Sequence, residues 1–270
     1  MFELPRDSQT EYLFHYTSID TLINHILPTR QIRLSSFATV NDPKEYKTFI
    51  LQPWRRDPNK HTETYSFLES EIWPEFKKRL KVMCLVAEPK KSSEELLNYN
   101  NRGFVNSPLW HHYADKGEGV CLVFNKANLI KAFKERFPLK SYHSPVAYKA
   151  IAAYQQTSLD WAQMDMDAIE SIGIEEYVDM HIKNFHKPMF FNKAPEWAYE
   201  NEYRFIVTSE NEFEYLDIKG CLEGIVFGPR ANFKNKGRAL AIPGRRGFGN
   251  PMYKLDFRNC SPKIIYDWKE

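Results

Sequence analysis

Two carboxylates and an arginine lie close together near residue 200. Glu200, Glu202 and Arg204 are each separated by one residue. From Glu202 onward the pattern alternates, with Glu202, Arg204 and Ile206 on one face and Tyr203, Phe205 and Val207 on the other. A period of two is typical of a β-strand, because successive side chains point to opposite faces. Glu202 and Arg204 would then share a face, about 6–7 Å apart along the strand. Since a neighbouring cation favours the charged form of an acid, Glu202 is predicted to be a fixed anion.

A second candidate group lies at the end of the first predicted strand. Residues 11–17 read as a strand, and Thr17 or Ser18 caps a helix that Pro28 is expected to end. His15 and Tyr16 would therefore lie near the carboxyl end of a strand and just before a helix N-terminus. Ligand-binding groups are common at that position.

Patterns that could hold a metal are weaker. In the sequence 41–45, Asp42 reads as a helix N-cap and Glu45 as a first-turn acid, although two carboxylates could also bind a cation. His111 and His112 are adjacent on a predicted helix and point about 100° apart, so they cannot easily share one ion. No H-E-x-x-H or C-x-x-C spacing occurs. We therefore predict no bound metal.

The elements that must position these residues alternate along the chain. Strands are predicted at residues 11–17, 31–37, 81–87, 120–124, 202–207, 213–218 and 222–227, with one or two more in the tail, whereas residues 51–65 read as an exposed loop. Residues 157–191 have apolar side chains at helical spacing. With no repeat or low-complexity linker, we predict one α+β domain over residues 1–270. It would have a mixed or antiparallel central sheet and a helical insertion at about 150–190.

Composition sets broad limits on function. The 270 residues are 43% hydrophobic and carry a formal net charge of +2, which is enough for a large core and demands neither nucleic acid nor an anionic membrane. The four cysteines are widely spaced, which indicates a reducing, cytoplasmic compartment. The N-terminal residues lack an apolar core, and no run of apolar residues is long enough to span a bilayer, so we expect no membrane partner.

Four segments together resemble a bacterial family, domain of unknown function 2971. In that family's order they cover roughly residues 11–228, and the resemblance names no activity. The segments are Leu13-Phe14-His15-Tyr16-Thr17-Ser18, Asn41-Asp42-Pro43-Lys44-Glu45, Leu109-Trp110-His111-His112-Tyr113-Ala114 running to Gly119-Val120-Cys121-Leu122, and Trp197-Ala198-Tyr199-Glu200-Asn201-Glu202-Tyr203-Arg204.

Two of these segments also resemble, more distantly, ADP-ribosyltransferases of the poly-ADP-ribose polymerase and DNA-modifying toxin type. Phe14-His15-Tyr16-Thr17 is similar to their histidine-containing first strand, and Asn201-Glu202-Tyr203 is similar to the strand that carries their catalytic glutamate. The resemblance implies a split central sheet and NAD as substrate. It also implies an ADP-ribosyltransferase or NAD glycohydrolase activity, as in a bacterial toxin or phage-defence effector, with a protein or nucleic-acid acceptor that stays open.

The same resemblance assigns roles to residues. Glu202 would bond the ribose and stabilise its positive charge in the transition state, His15 would hydrogen-bond the nicotinamide ribose, and Glu200 would orient the acceptor. The backbone at Tyr16 would hold the carboxamide, and Phe37 or Tyr46 would stack on nicotinamide. The implied NAD-binding residues are His15, Tyr16, Thr17, Ser35, Ser36, Phe37, Tyr46 and Arg204.

Two other hypotheses compete with this one. The first is a carboxylate-metal nuclease or hydrolase that uses Asp42, Glu45, His111 or Glu202. The second is a non-catalytic module, for example a scaffold in a bacterial defence or regulatory system. In it Glu202 merely pairs with Arg204, and a scaffold or partner site is formed by Trp110, Tyr113, Trp197 and Arg204. The NAD hypothesis predicts that the strands of His15 and Glu202 are adjacent. It would be favoured by an open pocket lined by His15, Tyr16, Ser35, Glu202 and Arg204.

Overall fold

A computed structural model describes residues 10–40, 42, 51–57, 59, 65–89, 102–149, 160–241 and 251–265. Several residues singled out in the sequence lie outside these ranges. They are Asn41, Glu45 and Tyr46, of which Tyr46 was predicted to stack on nicotinamide.

The described residues form an α+β fold, as predicted. Its strands are β1 (Tyr12–Thr17), β2 (Gln31–Ser36), β3 (Gln52–Trp54), β4 (Leu80–Ala87), β5 (Val120–Asn125), β6 (Ser141–Pro145), β7 (Ala147–Tyr148), β8 (Gln163–Asp165), β9 (Asn192–Lys193), β10 (Glu202–Thr208), β11 (Glu214–Asp217), β12 (Leu222–Phe227), β13 (Met252–Arg258) and β14 (Ser261–Ile265). Ten of them make one mixed, mostly antiparallel sheet in the order β11-β2-β4-β1-β5-β12-β13-β14, with β10 paired to β4 and β6 paired to β10.

Helices cover this sheet. They are α1 (residues 19–29, comprising Ile19–Thr21, a π-helical turn Leu22–Ile26 and Leu27–Thr29), α2 (residues 65–79, comprising Tyr65–Phe67, a π-helical turn Leu68–Ile72 and Trp73–Arg79), α3 (Ser107–Tyr113), α4 (Lys126–Arg136), α5 (Met166–Ile172), α6 (Ile174–Phe190) and α7 (Phe233–Leu240). Within the described ranges, no helix combines the length and apolar character that crossing a membrane requires.

The central sheet splits along one edge of β4. On its other edge, β4 pairs with β10 along almost its whole length, from Leu80 to Val86. Two strands, β2 and β1, share the split edge. Strand β2 pairs with the beginning of β4 through Ser35–Val82 and Ser36–Lys81, and β1 pairs with the last two residues of β4. Because β1 and β2 both leave β4 between these contacts, a gap opens beside residues 83–85.

The alternation predicted for β10 is confirmed. Tyr203, Phe205 and Val207 pack into a core beneath one face of the sheet, whereas Ile206 packs with Phe37 in a second core on the other face. Since both faces of β10 are buried, a one-residue slip of register would move Glu202 and Arg204 among the apolar side chains of the first core.

Two details of the predicted elements were wrong. Pro28 does not end α1, which continues to Thr29 and stops where Arg30 adopts a left-handed conformation (φ 57°). The stretch predicted as an exposed loop contains β3, which pairs in parallel with β8. Tertiary pairing therefore overrides a polar, proline-containing sequence there.

The predicted helix cap is confirmed, because the Ser18 hydroxyl accepts a hydrogen bond from the Thr21 amide at the start of α1.

A buried ion pair connects α2 to the helical segment that was predicted near residues 150–190. Arg79 donates two hydrogen bonds to Asp179 of α6, at 2.8 and 2.9 Å, and Lys140 also binds Asp179. Burial disfavours the ionised carboxyl, but these bonds and charges lower the pKa of Asp179 on balance. The pair therefore fixes α6 against the end of α2.

Candidate functional site

A pocket of about 400 Å³, partly open to solvent, lies at the split in the sheet. Residues 82–86 of β4 form its floor, and the four surrounding walls come from β1, β2, α3 and the segment that leads into β10. Its polar lining includes His15, Arg33, Ser35, Lys193, Glu200, Glu202 and Arg204. The size falls in the range of small-molecule sites.

Glu202 and Arg204 form a bidentate ion pair in this pocket. Arg204 Nε lies 2.7 Å from Glu202 Oε1, and its Nη2 lies 2.9 Å from Oε2. Both side chains are buried, and Arg204 also donates to the Phe190 carbonyl at 2.7 Å. Burial alone would raise the pKa of Glu202. The charge and hydrogen bonds of Arg204, together with the charge of Lys193 and a hydrogen bond from Cys84, outweigh the effect of burial and lower this pKa to about 2. The carboxyl is therefore an ionised group in a fixed position.

A second buried pair stands next to the first, and sequence reasoning missed half of it. Lys193 Nζ lies 2.7 Å from one oxygen of Glu200 and 3.6 Å from Glu202, and it also sits over the Trp197 ring. The other Glu200 oxygen accepts a hydrogen bond from the Tyr113 hydroxyl at 2.7 Å. Burial, together with this bond to a carboxylate, raises the pKa of Tyr113, so the phenol stays protonated. Asn192-Lys193 has no local pattern that could have revealed the contact.

His15 lies at the point where β1 leaves β4. Its Nδ1 is 3.4 Å from the Cys84 carbonyl, on the β4 edge that the split leaves without a strand partner. A carbonyl only accepts, so Nδ1 carries the hydrogen. Burial lowers the pKa of His15 to about 4, with the Cys84 bond opposing, so the ring is neutral at pH 7. Its Nε2 is then unprotonated and can accept a hydrogen bond.

The side chains that meet in the pocket come from both faces of the sheet. Strand alternation and register place Arg33 and Ser35 on the same face as Glu202 and Arg204. His15 follows Leu13 and opposes Leu122, so it belongs to the opposite face. It reaches the pocket because the split lets a side chain approach the edge of β4. The NAD hypothesis predicted that the strands of His15 and Glu202 would be adjacent. This prediction was wrong, because β4 lies between the two strands.

Several residues predicted to bind NAD lie elsewhere. Thr17 continues the pairing of β1 with β5, and the Ser36 hydroxyl donates to the Lys77 carbonyl and accepts from the Ala38 amide. Phe37 is fully buried, so its ring cannot stack on a ligand in this conformation. It packs edge-on against Phe190, with the Arg204 guanidinium 5.9 Å from its centroid.

Tyr16 lines the pocket but its side chain is committed to the fold. Its hydroxyl donates to the Gly103 carbonyl at 2.7 Å, and its ring packs edge-on against Trp110. Burial raises the pKa of Tyr16 well above its ordinary value, so the hydroxyl remains a donor. Any contact of Tyr16 with a ligand would therefore use its ring or backbone.

The residues of the metal hypothesis do not come together in the described part of the chain. There, no three His, Cys, Asp or Glu side chains form a cluster that could hold an ion. Asp42 is buried, whereas His111 and His112 are exposed at the end of α3 with ring centroids 5.5 Å apart. Neither Asp42 nor the two histidines belong to the pocket lining.

The fold and the site define an α+β protein whose mixed sheet splits to form a small-molecule-sized pocket with two buried acid–base pairs. Residues 109–205 match the family described as Protein of unknown function (DUF2971). The match supports the family resemblance over less than half of the chain and includes Tyr113, Lys193, Glu200, Glu202 and Arg204. The segments at residues 13–18 and 41–45 lie outside it. No curated protein and no solved structure matches the chain.

Proposed function

We propose that this protein cleaves NAD at the bond to nicotinamide, as an ADP-ribosyltransferase or an NAD glycohydrolase. The observation that carries the proposal is that Glu202 and His15, far apart in sequence, line one pocket, the first ionised and the second neutral. Together they offer two hydrogen-bond acceptors, which suits a ligand rich in hydroxyl groups such as a ribose.

The reaction needs a fixed negative charge at the sugar. The bond between ribose C1′ and the nicotinamide nitrogen breaks, and its electron pair leaves with neutral nicotinamide. The positive charge that develops on the ribose is stabilised by Glu202, which is already oriented by Arg204. Water or an acceptor nucleophile then bonds to C1′ and loses a proton. The choice between water and acceptor decides between hydrolysis and transfer.

Glu202 retains capacity for a ligand despite its ion pair. A carboxylate offers about four lone-pair positions, of which Arg204 uses two and the Cys84 side chain a third. Lys193, at 3.6 Å, contributes charge rather than a hydrogen bond. A ribose hydroxyl can therefore donate to Glu202 while the ion pair persists.

A non-catalytic binding module is the second candidate, because the same contacts also explain a purely structural network. Both oxygens of Glu200 have partners, and Glu202 locks β10 through Arg204 and Phe190. On that hypothesis the pocket binds a small molecule without cleaving it.

Nicotinamide release from NAD by purified protein separates the two candidates. We expect release by the wild type, a loss of roughly a hundredfold to a thousandfold for Glu202→Gln, and a loss of at least about tenfold for His15→Ala. His15→Ala removes one long hydrogen bond and is expected to fold, which keeps the test valid if Glu202→Gln is unstable. Glu214→Gln is the matched control, because Glu214 is a buried carboxylate outside the pocket lining.

The result that contradicts the proposal is equally definite. A folded wild type that binds no NAD and releases no nicotinamide would overturn it. NAD binding without release, unchanged in Glu202→Gln, would establish the binding module instead.

A further inference from the structure

The charges of the pocket do not cancel. Five of its lining residues carry formal charge: Arg33, Lys193, Glu200, Glu202 and Arg204. Glu200 pairs with Lys193 and Glu202 pairs with Arg204, both at 2.7 Å. Among the described residues, no carboxylate forms an ion pair with Arg33. The pocket therefore keeps one positive charge, located on the β2 wall.

The Arg33 side chain is held in place by neutral contacts. Its Nε donates to the Ser35 hydroxyl at 3.1 Å, and its guanidinium carbon lies 4.5 Å from the centroid of the Phe213 ring. Stacking orients a guanidinium plane without using its terminal NH₂ groups. Within the described part of the chain, no contact involves those two groups, so they can form a fork toward the pocket.

Ser35 completes a donor set beside this fork. Its oxygen accepts from Arg33, so its own hydrogen can be donated to a third group. Ser35 lies opposite Val82 on β4, on the same face as Glu202. A planar arginine fork with an adjacent hydroxyl matches the oxygens of a phosphate.

We infer that the pocket contains an anion subsite, formed by Arg33 and Ser35, which binds a phosphate group of the ligand. This inference deepens the proposed function and rests on it for the identity of the ligand, which would be the diphosphate-linked ribose of NAD. The sugar would then lie between the subsite and Glu202, and the apolar wall that includes Phe14 and Leu109 would receive the nicotinamide ring.

Calorimetric titration with ADP-ribose, inorganic pyrophosphate and nicotinamide tests the subsite. We expect the wild type to bind ADP-ribose and pyrophosphate, and Arg33→Gln to bind both roughly tenfold to a hundredfold more weakly, since it loses a charge-assisted bond. Nicotinamide carries no phosphate, so its affinity is expected to be unchanged. Arg258→Gln is the matched control, because Arg258 is exposed on β13 outside the pocket lining. Arg33 is also exposed, so neither variant is expected to unfold.

The outcomes separate the subsite from the proposed reaction. Unaltered ADP-ribose affinity in Arg33→Gln would overturn the inference even if NAD is cleaved. A folded wild type that binds neither ADP-ribose nor pyrophosphate would also overturn it. Pyrophosphate binding that depends on Arg33, without nicotinamide release from NAD, would uphold the subsite and refute the reaction.

Discussion

Replacing Glu202 by Gln tests how strongly the buried ion pair supports the fold. The pKa of Glu202 falls from its ordinary value of 4.5 to about 2 in the folded protein. At about 1.4 kcal/mol for each pH unit, this fall corresponds to about 3 kcal/mol of unfolding free energy at pH 7. A similar loss, about 3–5 kcal/mol, is typical when one partner of a buried pair is removed, because Arg204 would keep an uncompensated charge.

The stabilisation has a definite pH dependence. A carboxyl whose pKa is lowered by folding contributes its full stabilisation above its unfolded pKa and loses it as the pH falls through the folded pKa. For Glu202 the loss begins near 4.5 and is complete below about 2. The wild type and Glu202→Gln should therefore differ most at neutral pH. Roughly half of the pH-dependent difference should be gone by about pH 3.

Urea unfolding at neutral pH and at about pH 3 measures both quantities. Glu88→Gln is the matched control, because Glu88 and Arg102 form a bidentate pair of similar geometry that is more exposed, at 22% and 18%. We expect that control to lose about 1 kcal/mol or less. A loss of less than about 1 kcal/mol for Glu202→Gln, or an equal loss at the two pH values, would refute the reasoning.

Two further predictions use a thiol in the pocket floor and the ion pair between Arg79 and Asp179. Cys84, in the pocket floor, and Cys260 are exposed, whereas the other two cysteines are buried. In Cys260→Ser a thiol reagent should therefore label Cys84 quickly, and ADP-ribose should slow that labelling if it occupies the pocket. Labelling of Cys84 at an unchanged rate with the ligand bound would place the ligand elsewhere. Asp179→Asn should lower the unfolding free energy measured in urea by about 3 kcal/mol, because Arg79 loses its buried partner. The affinity for ADP-ribose should be unchanged. A loss of that affinity in the folded variant would contradict the separation of this ion pair from the pocket.

The strands of the core could be predicted from the sequence because each has a strong local pattern. The alternation of β10 specified its two faces, and the apolar runs of β4 and β5 indicated strands buried on both sides. The Glu202–Arg204 pair followed from the same period, since residues two apart on a strand share a face. Local periodicity was sufficient for these features.

The pocket could not be predicted because it depends on strand order and register. The split exists only because β1 and β2 share one edge of β4. Lys193 reaches Glu200 through a turn, and a lone lysine there carries no signal. Phe37 follows a strand as predicted, but whether its ring faces a ligand or the core was decided by its packing against Phe190.

The geometry of the split explains why the unpaired charge lies where it does. If β2 continued to pair with β4 beyond Ser35–Val82, Arg33 would come opposite Cys84, which itself pairs with Arg204 across the sheet. Arg33 would then lie on the same face as Arg204, two strand spacings or about 10 Å away, across the floor of the pocket. Divergence of β2 keeps Arg33 stacked on Phe213 at the open side of the pocket. The unpaired charge of Arg33 therefore lies at the open side of the pocket, where the proposed anion subsite uses it.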